Sequence, residues 1–198
     1  MQVKAIYPHG YHKTDKMGRP IYIEIISKVN LPDLFKITTE DRMMKYYIKE
    51  YERLMKYRFP ACSKAAGKLI EQSLTILDME GIGMGILAGK TRDFVKIASD
   101  IGQNYYPEML GTMFLINTSF FFSAVWSIVQ GFIDEKTRKK ITVEKGAFAK
   151  KLLELVDAEN LPTFLGGTCS CPHIKGGCLL ADIGPWNPAG GLGNGYGN

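Results

Sequence analysis

Residues 19–26, RPIYIEII, alternate Ile21, Ile23 and Ile25 against Tyr22, Glu24 and Ile26, a period of two that predicts a strand with two unlike faces. TTED (38–41) offers threonine caps with acids in the first turn, a helix start, and Met44, Tyr47, Ile48, Tyr51, Leu54 and Met55 follow at helical spacing. Pro60 ends or kinks that helix. LIEQSLTILDM (69–79) returns to period two, with Ile70, Leu74 and Ile76 on one face and Glu71, Ser73, Thr75 and Leu77 on the other. Gly81, Gly83 and Gly85 make a loop, and Phe94, Ile97, Ala98 and Ile101 mark an amphipathic helix closed by Pro107. TMFLINT (112–118) is a third strand, and an unusually apolar helix is expected over 119–133. A charged turn, DEKTRKK (134–140), leads to a short strand, ITVE (141–144), then a helix near 147–156 and a last strand over CLLADI (178–183). Strands alternating with helices predict an α/β fold with a mostly parallel sheet. Residues 1–188 are expected to form one domain, and the Gly-rich end, 189–198, a flexible tail that does not pack.

Two places depart from a plain α/β core. A parallel sheet covered on both faces should be apolar on both, yet Ser73 and Thr75 share a face with Glu71, and Tyr22 shares one with Glu24. Local hydroxyl bonding or an edge strand would explain that alone. The second departure is FFFSAVWSIVQGFI (120–133), where Phe121, Phe122, Val125, Trp126, Ile128, Val129 and Phe132 leave only a narrow polar stripe of Ser119, Ser123, Ser127 and Gln130. A helix this apolar is buried all round or lies beside a hollow interior. The two departures together suit a cavity whose polar strand positions meet the polar end of an amphiphile.

Composition narrows the class. The chain has 198 residues, 45% hydrophobic and 23% charged, with net charge +5. That mild basicity suits an anionic membrane surface or nucleic acid without selecting either. The segment around 114–133 is the one membrane-span candidate, but Asn117, Thr118, Ser119, Ser123, Ser127 and Gln130 interrupt it, and a turn near Thr118 leaves too little to span. MQVKAIYPHG lacks the apolar stretch of a signal peptide, and four cysteines with three crowded together make a poor disulfide framework. Both features suit a cytosolic chain with reduced thiols.

Single motifs are weaker guides. GIGMGILAGKT (81–91) sits between a strand and a helix like a phosphate loop, the basis for a nucleotide-dependent enzyme. Counting back from Gly89, however, the required glycine falls on Met84, so a crossover loop is the preferred reading. Cys169, Cys171, His173 and Cys178 offer the ligand types of a zinc knuckle without a standard spacing, and free thiols in a loop are the plainer reading. No G-x-S-x-G elbow supports covalent hydrolysis, and catalysis is not expected. Lys136, Arg138, Lys139, Lys140, Lys145, Lys150 and Lys151 are interleaved with acids and belong to no nucleic-acid motif, so no nucleic-acid partner is expected; such a cluster also suits anionic lipid headgroups.

Several ordered blocks carry more. YHKTDKMGRPIY (11–22), YRFPACSKAAG (57–67), QNYYPE (103–108), ENLPTFLGG (159–167) and DIGPW (182–186) resemble the CRAL-TRIO lipid-binding domain, most closely its fungal-type phosphatidylinositol/phosphatidylcholine transfer branch. The resemblance runs from about Tyr7 to Trp186. It implies a sheet flooring an apolar phospholipid pocket behind a movable gate helix at 119–133, with no further cofactor. It implies a monomer that visits membranes peripherally, at the Golgi or endosomes, exchanges phosphatidylcholine for phosphatidylinositol and presents the latter to lipid kinases. Carried over by position, the choline-lipid site falls on Tyr11, Tyr22, Ser73 and Thr75, and the inositol-lipid site on Glu108, Thr137 and Lys140. Aromatic faces suit a quaternary ammonium, hydroxyls donate to phosphate, and a carboxylate accepts from inositol hydroxyls. The chain departs from the pattern at Met109, where the family usually has a basic residue, and in its cysteine-rich loop. It also begins near the first block, so the family's N-terminal helical module, with one headgroup contact, is expected to be absent. A sterol or tocopherol-like ligand, or lipid sensing without transfer, are the alternatives within binding proteins.

Overall fold

The computed structural model of the chain describes residues 2–29, 31–82, 89–106 and 108–191. In chain order the elements are α1 (Gln2–Ile6), β1 (His9–Thr14), β2 (Pro20–Ile25), α2 (Leu31–Ile37), α3 (Glu40–Arg53), α4 (Phe59–Ala66), β3 (Ser73–Asp78) and α5 (Gly89–Tyr105). They continue with β4 (Leu110–Ile116), α6 (Phe122–Val129), α7 (Glu135–Lys139), β5 (Ile141–Val143), α8 (Phe148–Leu155) and α9 (Cys178–Ala181). The strands form one five-stranded sheet in sequence order. Its β1–β2 pair is antiparallel, and β2 through β5 run parallel.

Sequential parallel neighbours joined by right-handed crossovers put every crossover on the same face of the sheet. Here α3, α5, α6 and α7 therefore share one face. The other face is packed by the C-terminal third: Ile21, Ile23, Ile25, Leu74, Ile76, Phe114 and Ile116 meet Leu152, Val156, Leu161 and Leu165 in an apolar core. That split accounts for the strand parities. The core face is apolar as expected, and Tyr22, Glu24, Thr75 and Leu77 project toward the crossover helices.

The expected strand–helix alternation holds, with local corrections. β1 has no apolar alternation in its residues, HGYHKT, and is held by its register to β2, Tyr11 opposite Tyr22. Strand β3 starts at Ser73, and Leu69, expected at the strand's start, is 74% exposed. Thr39 caps α3 by accepting the Arg42 N–H, as expected. The buried face of α3 runs through Met43, Tyr47 and Tyr51 to Leu54, so Ile48 and Met55, expected inside, face outward. Pro60 does not end the helix. The chain widens into a π-turn over Leu54–Arg58, where the Phe59 N–H reaches the Leu54 carbonyl, and then enters α4.

The charged turn 134–140 is a helix, because Asp134 accepts the Thr137 N–H and starts α7. CLLADI is no strand: Gly176 and Gly177, at φ +94° and +61°, turn the chain into α9. A four-residue apolar run cannot by itself decide between the two states. At the start of the expected tail Gly190 is buried and the Gly191 N–H donates to the Ala181 carbonyl at 2.5 Å, and 192–198 lie outside the described residues. The glycine run proposed as a phosphate loop falls mostly on 83–88, outside the described residues.

Candidate functional site

Between the polar-patterned sheet face and the crossover helices lies a cavity of about 1000 Å³. Its wall includes every residue the resemblance assigned to headgroups: Tyr11, Tyr22, Ser73, Thr75, Glu108, Thr137 and Lys140. They come from β1, β2, β3, the approach to β4, α7 and the residue before β5. Register brings the first group together, because Tyr11 pairs with Tyr22 and Tyr22 with Thr75. The Tyr11 and Tyr22 rings lie 5.1 Å apart and tilted. The Ser73 hydroxyl donates to the Met109 carbonyl at 3.3 Å, a long bond that a better acceptor can displace.

Beside these residues is a buried carboxyl that strand parity alone had marked. Glu24 accepts from Tyr22 at 3.0 Å and from Tyr7, which in turn shares a 2.6 Å bond with Tyr47. Burial raises the Glu24 carboxyl above its ordinary 4.5, with the two tyrosine bonds opposing the rise. Burial likewise raises the Tyr7 and Tyr22 hydroxyls and lowers the His9 imidazole to about 4, so these groups are neutral near pH 7.

Tyr11 is braced from outside the cavity. The Arg58 guanidinium sits 3.9 Å from its ring centroid and bonds Glu50 at 3.1 Å and Asp182 at 3.2 Å. Trp186 Nε1–H donates to Asp182, so YRFP and DIGPW, far apart in the chain, form one buried cluster against Tyr11.

The second polar group lies at the rim. Glu108 is 61% exposed and bonds the less exposed Lys140 at 2.9 Å. The Lys140 hydrogen bond and charge hold the Glu108 carboxyl below its usual value. Thr137, one turn before Lys140 on α7, lines the same part of the wall. Met109, where a basic residue was looked for, is buried with Tyr11, Leu54, Phe59 and Trp186.

The apolar segment 119–133 forms α6 and a 3₁₀ turn, Gln130–Phe132. Phe122, Val125, Trp126, Val129 and Phe132 close a smaller cavity of about 190 Å³ that shares Ile26, Leu77, Met113 and Ile141 with the larger one. Phe121 and Ile128 do not join them; they are 70% and 44% exposed. Of the serine stripe, Ser119 donates to the Ile82 carbonyl, Ser127 caps back onto Ala124, and Ser123 faces solvent. Gln103 on α5 clasps the end of the segment: its amide donates to the Phe132 carbonyl at 3.0 Å and its oxygen accepts the Asp134 N–H at 2.7 Å. Gln103 opens the QNYYPE block, but periodicity gave it no role, since a polar residue on an amphipathic helix reads as surface.

The cysteine loop also differs from its sequence reading. Cys169, Cys171 and Cys178 converge, but the imidazole beside them is His12 of β1; His173 is exposed and apart from that group. Long-range pairing of this kind has no local sequence signal.

No helix among the described residues is long and apolar enough to cross a membrane. The CRAL/TRIO domain model matches residues 5–167. The chain is 47% identical over 184 residues to the SEC14 cytosolic factor of Kluyveromyces lactis, covering 93% of this chain and 61% of that protein. It is 45% identical over 185 residues to the Sec14 cytosolic factor of Schizosaccharomyces pombe, covering 93% and 63%. Against the phosphatidylinositol/phosphatidylcholine transfer protein SFH11 of Arabidopsis thaliana it is 44% identical over 189 residues, covering 96% and 50%. The chain thus spans less than two thirds of the length of these relatives. The crystal structure of Sfh5 superposes with a TM-score of 0.63 at 19% identity, over 100% of this chain and 62% of that one, a likeness of fold.

Proposed function

The chain belongs to the CRAL/TRIO domain family, and from that membership we propose that it binds and exchanges phosphatidylcholine and phosphatidylinositol at membrane surfaces. One observation carries the reading. A single cavity of about 1000 Å³ is lined by two separate polar groups, Tyr11/Tyr22/Ser73/Thr75 on its floor and Glu108/Thr137/Lys140 at its rim.

The floor suits a choline headgroup. A quaternary ammonium offers no N–H, so it is held by aromatic faces, here the Tyr11 and Tyr22 rings. The Ser73 and Thr75 hydroxyls turn to donate to the phosphate. The rim suits an inositol headgroup, with Glu108 accepting from ring hydroxyls and Lys140 and Thr137 holding the phosphate. Acyl chains would lie against Leu77, Met113 and Ile141 and the inner face of α6.

The cycle is binding and release without a covalent step. Segment 119–133 opens at the membrane, one phospholipid leaves and the other enters, and the inositol lipid is presented to a kinase. The protein acts as a cytosolic monomer that reaches Golgi or endosomal membranes peripherally. The test is incubation with mixed liposomes, re-isolation, lipid extraction and mass spectrometry. Recovery of both phospholipids is expected; recovery of a sterol or tocopherol-like compound in their place would overturn the assignment.

A further inference from the structure

We propose that His12, Cys169, Cys171 and Cys178 form a tetrahedral site for one zinc-class cation, which clamps the 169–178 loop to strand β1. One ligand atom from each of the four residues lies within 4.8 Å of all the others. Four zinc ligands, three thiolates and an imidazole, match the usual set of a closed structural site. The Cys169 and Cys171 sulfurs are 3.6 Å apart. Zn–S bonds of about 2.3 Å at tetrahedral angles put sulfurs about 3.8 Å apart, so little adjustment is needed.

His12 supplies an independent observation. It is 0% exposed, and neither ring nitrogen has a hydrogen-bond partner among the described residues. Buried polar atoms are otherwise almost always paired. A coordinated cation satisfies one of the two nitrogens. Two buried thiols and a half-buried one would by themselves read as small apolar side chains; an unpaired buried imidazole facing them would not.

The surroundings fit a cation of this class. Soft thiolates with an imidazole favour zinc over magnesium or calcium. Ile174 and Ile183 pack around the cluster and limit water. Each thiol releases its proton on binding, so three thiolates, a neutral imidazole and a dication total one negative charge. The Lys13 ammonium interacts with Cys169 and offsets it.

Alternation along β1 sends Tyr11 into the lipid cavity and Gly10 and His12 to the opposite side. Gly10 is needed there, since a Cβ would meet the Leu179 carbonyl oxygen at 2.4 Å. The cation would therefore stand outside the cavity. It would hold the segment that runs through α9 to Asp182 and Trp186, the two residues that brace Arg58 and Tyr11.

The test begins with the full chain purified under reducing conditions without chelator, its metal measured by elemental mass spectrometry. One zinc per chain is expected. Replacing zinc with cobalt should give the thiolate charge-transfer and tetrahedral ligand-field bands. His12→Ala and Cys171→Ser should weaken retention at least about tenfold, whereas His173→Ala, outside the group, should retain zinc. Removing the metal from the wild-type chain should lower Tm, and adding zinc back should restore it. These last two measurements, like the cobalt spectrum, need no variant to fold. A metal-free wild-type chain that gives no tetrahedral cobalt spectrum would overturn the proposal. So would zinc retention unchanged in His12→Ala, or a disulfide among the three thiols in the purified protein.

Discussion

Lys140 Nζ bonds Glu108 Oε2 at 2.9 Å, tying the start of β5 to the turn before β4 where the cavity meets solvent. An exposed pair of this kind adds little stability. Its value would lie in presenting an ammonium and a carboxylate side by side to a phosphoinositol headgroup. Lys140→Ala should therefore abolish phosphatidylinositol transfer while phosphatidylcholine transfer survives, as read by labelled-lipid transfer between vesicles. Equal loss of both would mean that the rim is not a separate headgroup site.

The floor predicts the reverse selectivity. Ser73→Ala and Thr75→Val each remove a hydroxyl proposed to donate to a choline-lipid phosphate, and charge-assisted hydrogen bonds are worth about 1.5–3 kcal/mol. Phosphatidylcholine occupancy should fall roughly tenfold or more, with phosphatidylinositol less affected. Quantitative lipidomics of protein re-isolated from vesicles measures both in one experiment.

Glu24 gives a pH signature. Burial raises its folded-state pKa above 4.5, so the folded chain keeps a proton that the unfolded chain has released. Its contribution to stability is complete below the unfolded value and is lost as pH rises through the folded value. Glu24→Gln keeps one acceptor oxygen for the two tyrosines and does not titrate. The variant should gain on the lipid-free wild type as pH climbs from 4.5, by about 1.4 kcal/mol per unit of raised pKa. Urea unfolding at several pH values checks this, and a difference that ignores pH would refute it.

The two sides of α6 should respond differently. Val125 is 1% exposed and faces the small cavity, so Val125→Ser should destabilise the fold by about 2 kcal/mol or more. Phe121 is 70% exposed, and Phe121→Ser should change stability by no more than about 0.5 kcal/mol. If the segment opens onto a membrane, that second change should still cut vesicle binding about threefold or more, since a phenylalanine ring contributes roughly 1.5–3 kcal/mol when buried. Co-sedimentation with liposomes and thermal melts separate the two effects.

Arg58 joins Glu50, Asp182 and the Tyr11 ring with a side chain only 2% exposed. Arg58→Ala would leave two largely buried carboxylates without that partner and should cost about 3–5 kcal/mol. Denaturant unfolding measures the loss. A cost near zero would show that the cluster is not what braces Tyr11.

The residue pattern by itself determined the α/β class, the parallel strands and the parity that put Tyr22, Ser73 and Thr75 on an unusual face. Period-two and helical spacings are local, and each strand carries its own two faces. It also marked segment 119–133 as too apolar for one buried stripe, though not that Phe121 and Ile128 turn outward. The ordered blocks, read as a resemblance, supplied candidate headgroup roles, adding Tyr11, Glu108, Thr137 and Lys140 to the positions that parity had marked. The tertiary structure alone decided what meets across the chain. It brought Tyr11 to Tyr22 through an edge strand with no apolar signature, Arg58 to Asp182, Gln103 to the end of the apolar segment, and His12 rather than His173 to the three thiols. Those contacts depend on sheet order and crossover direction, which place distant residues side by side while leaving no periodic trace in the sequence near either partner.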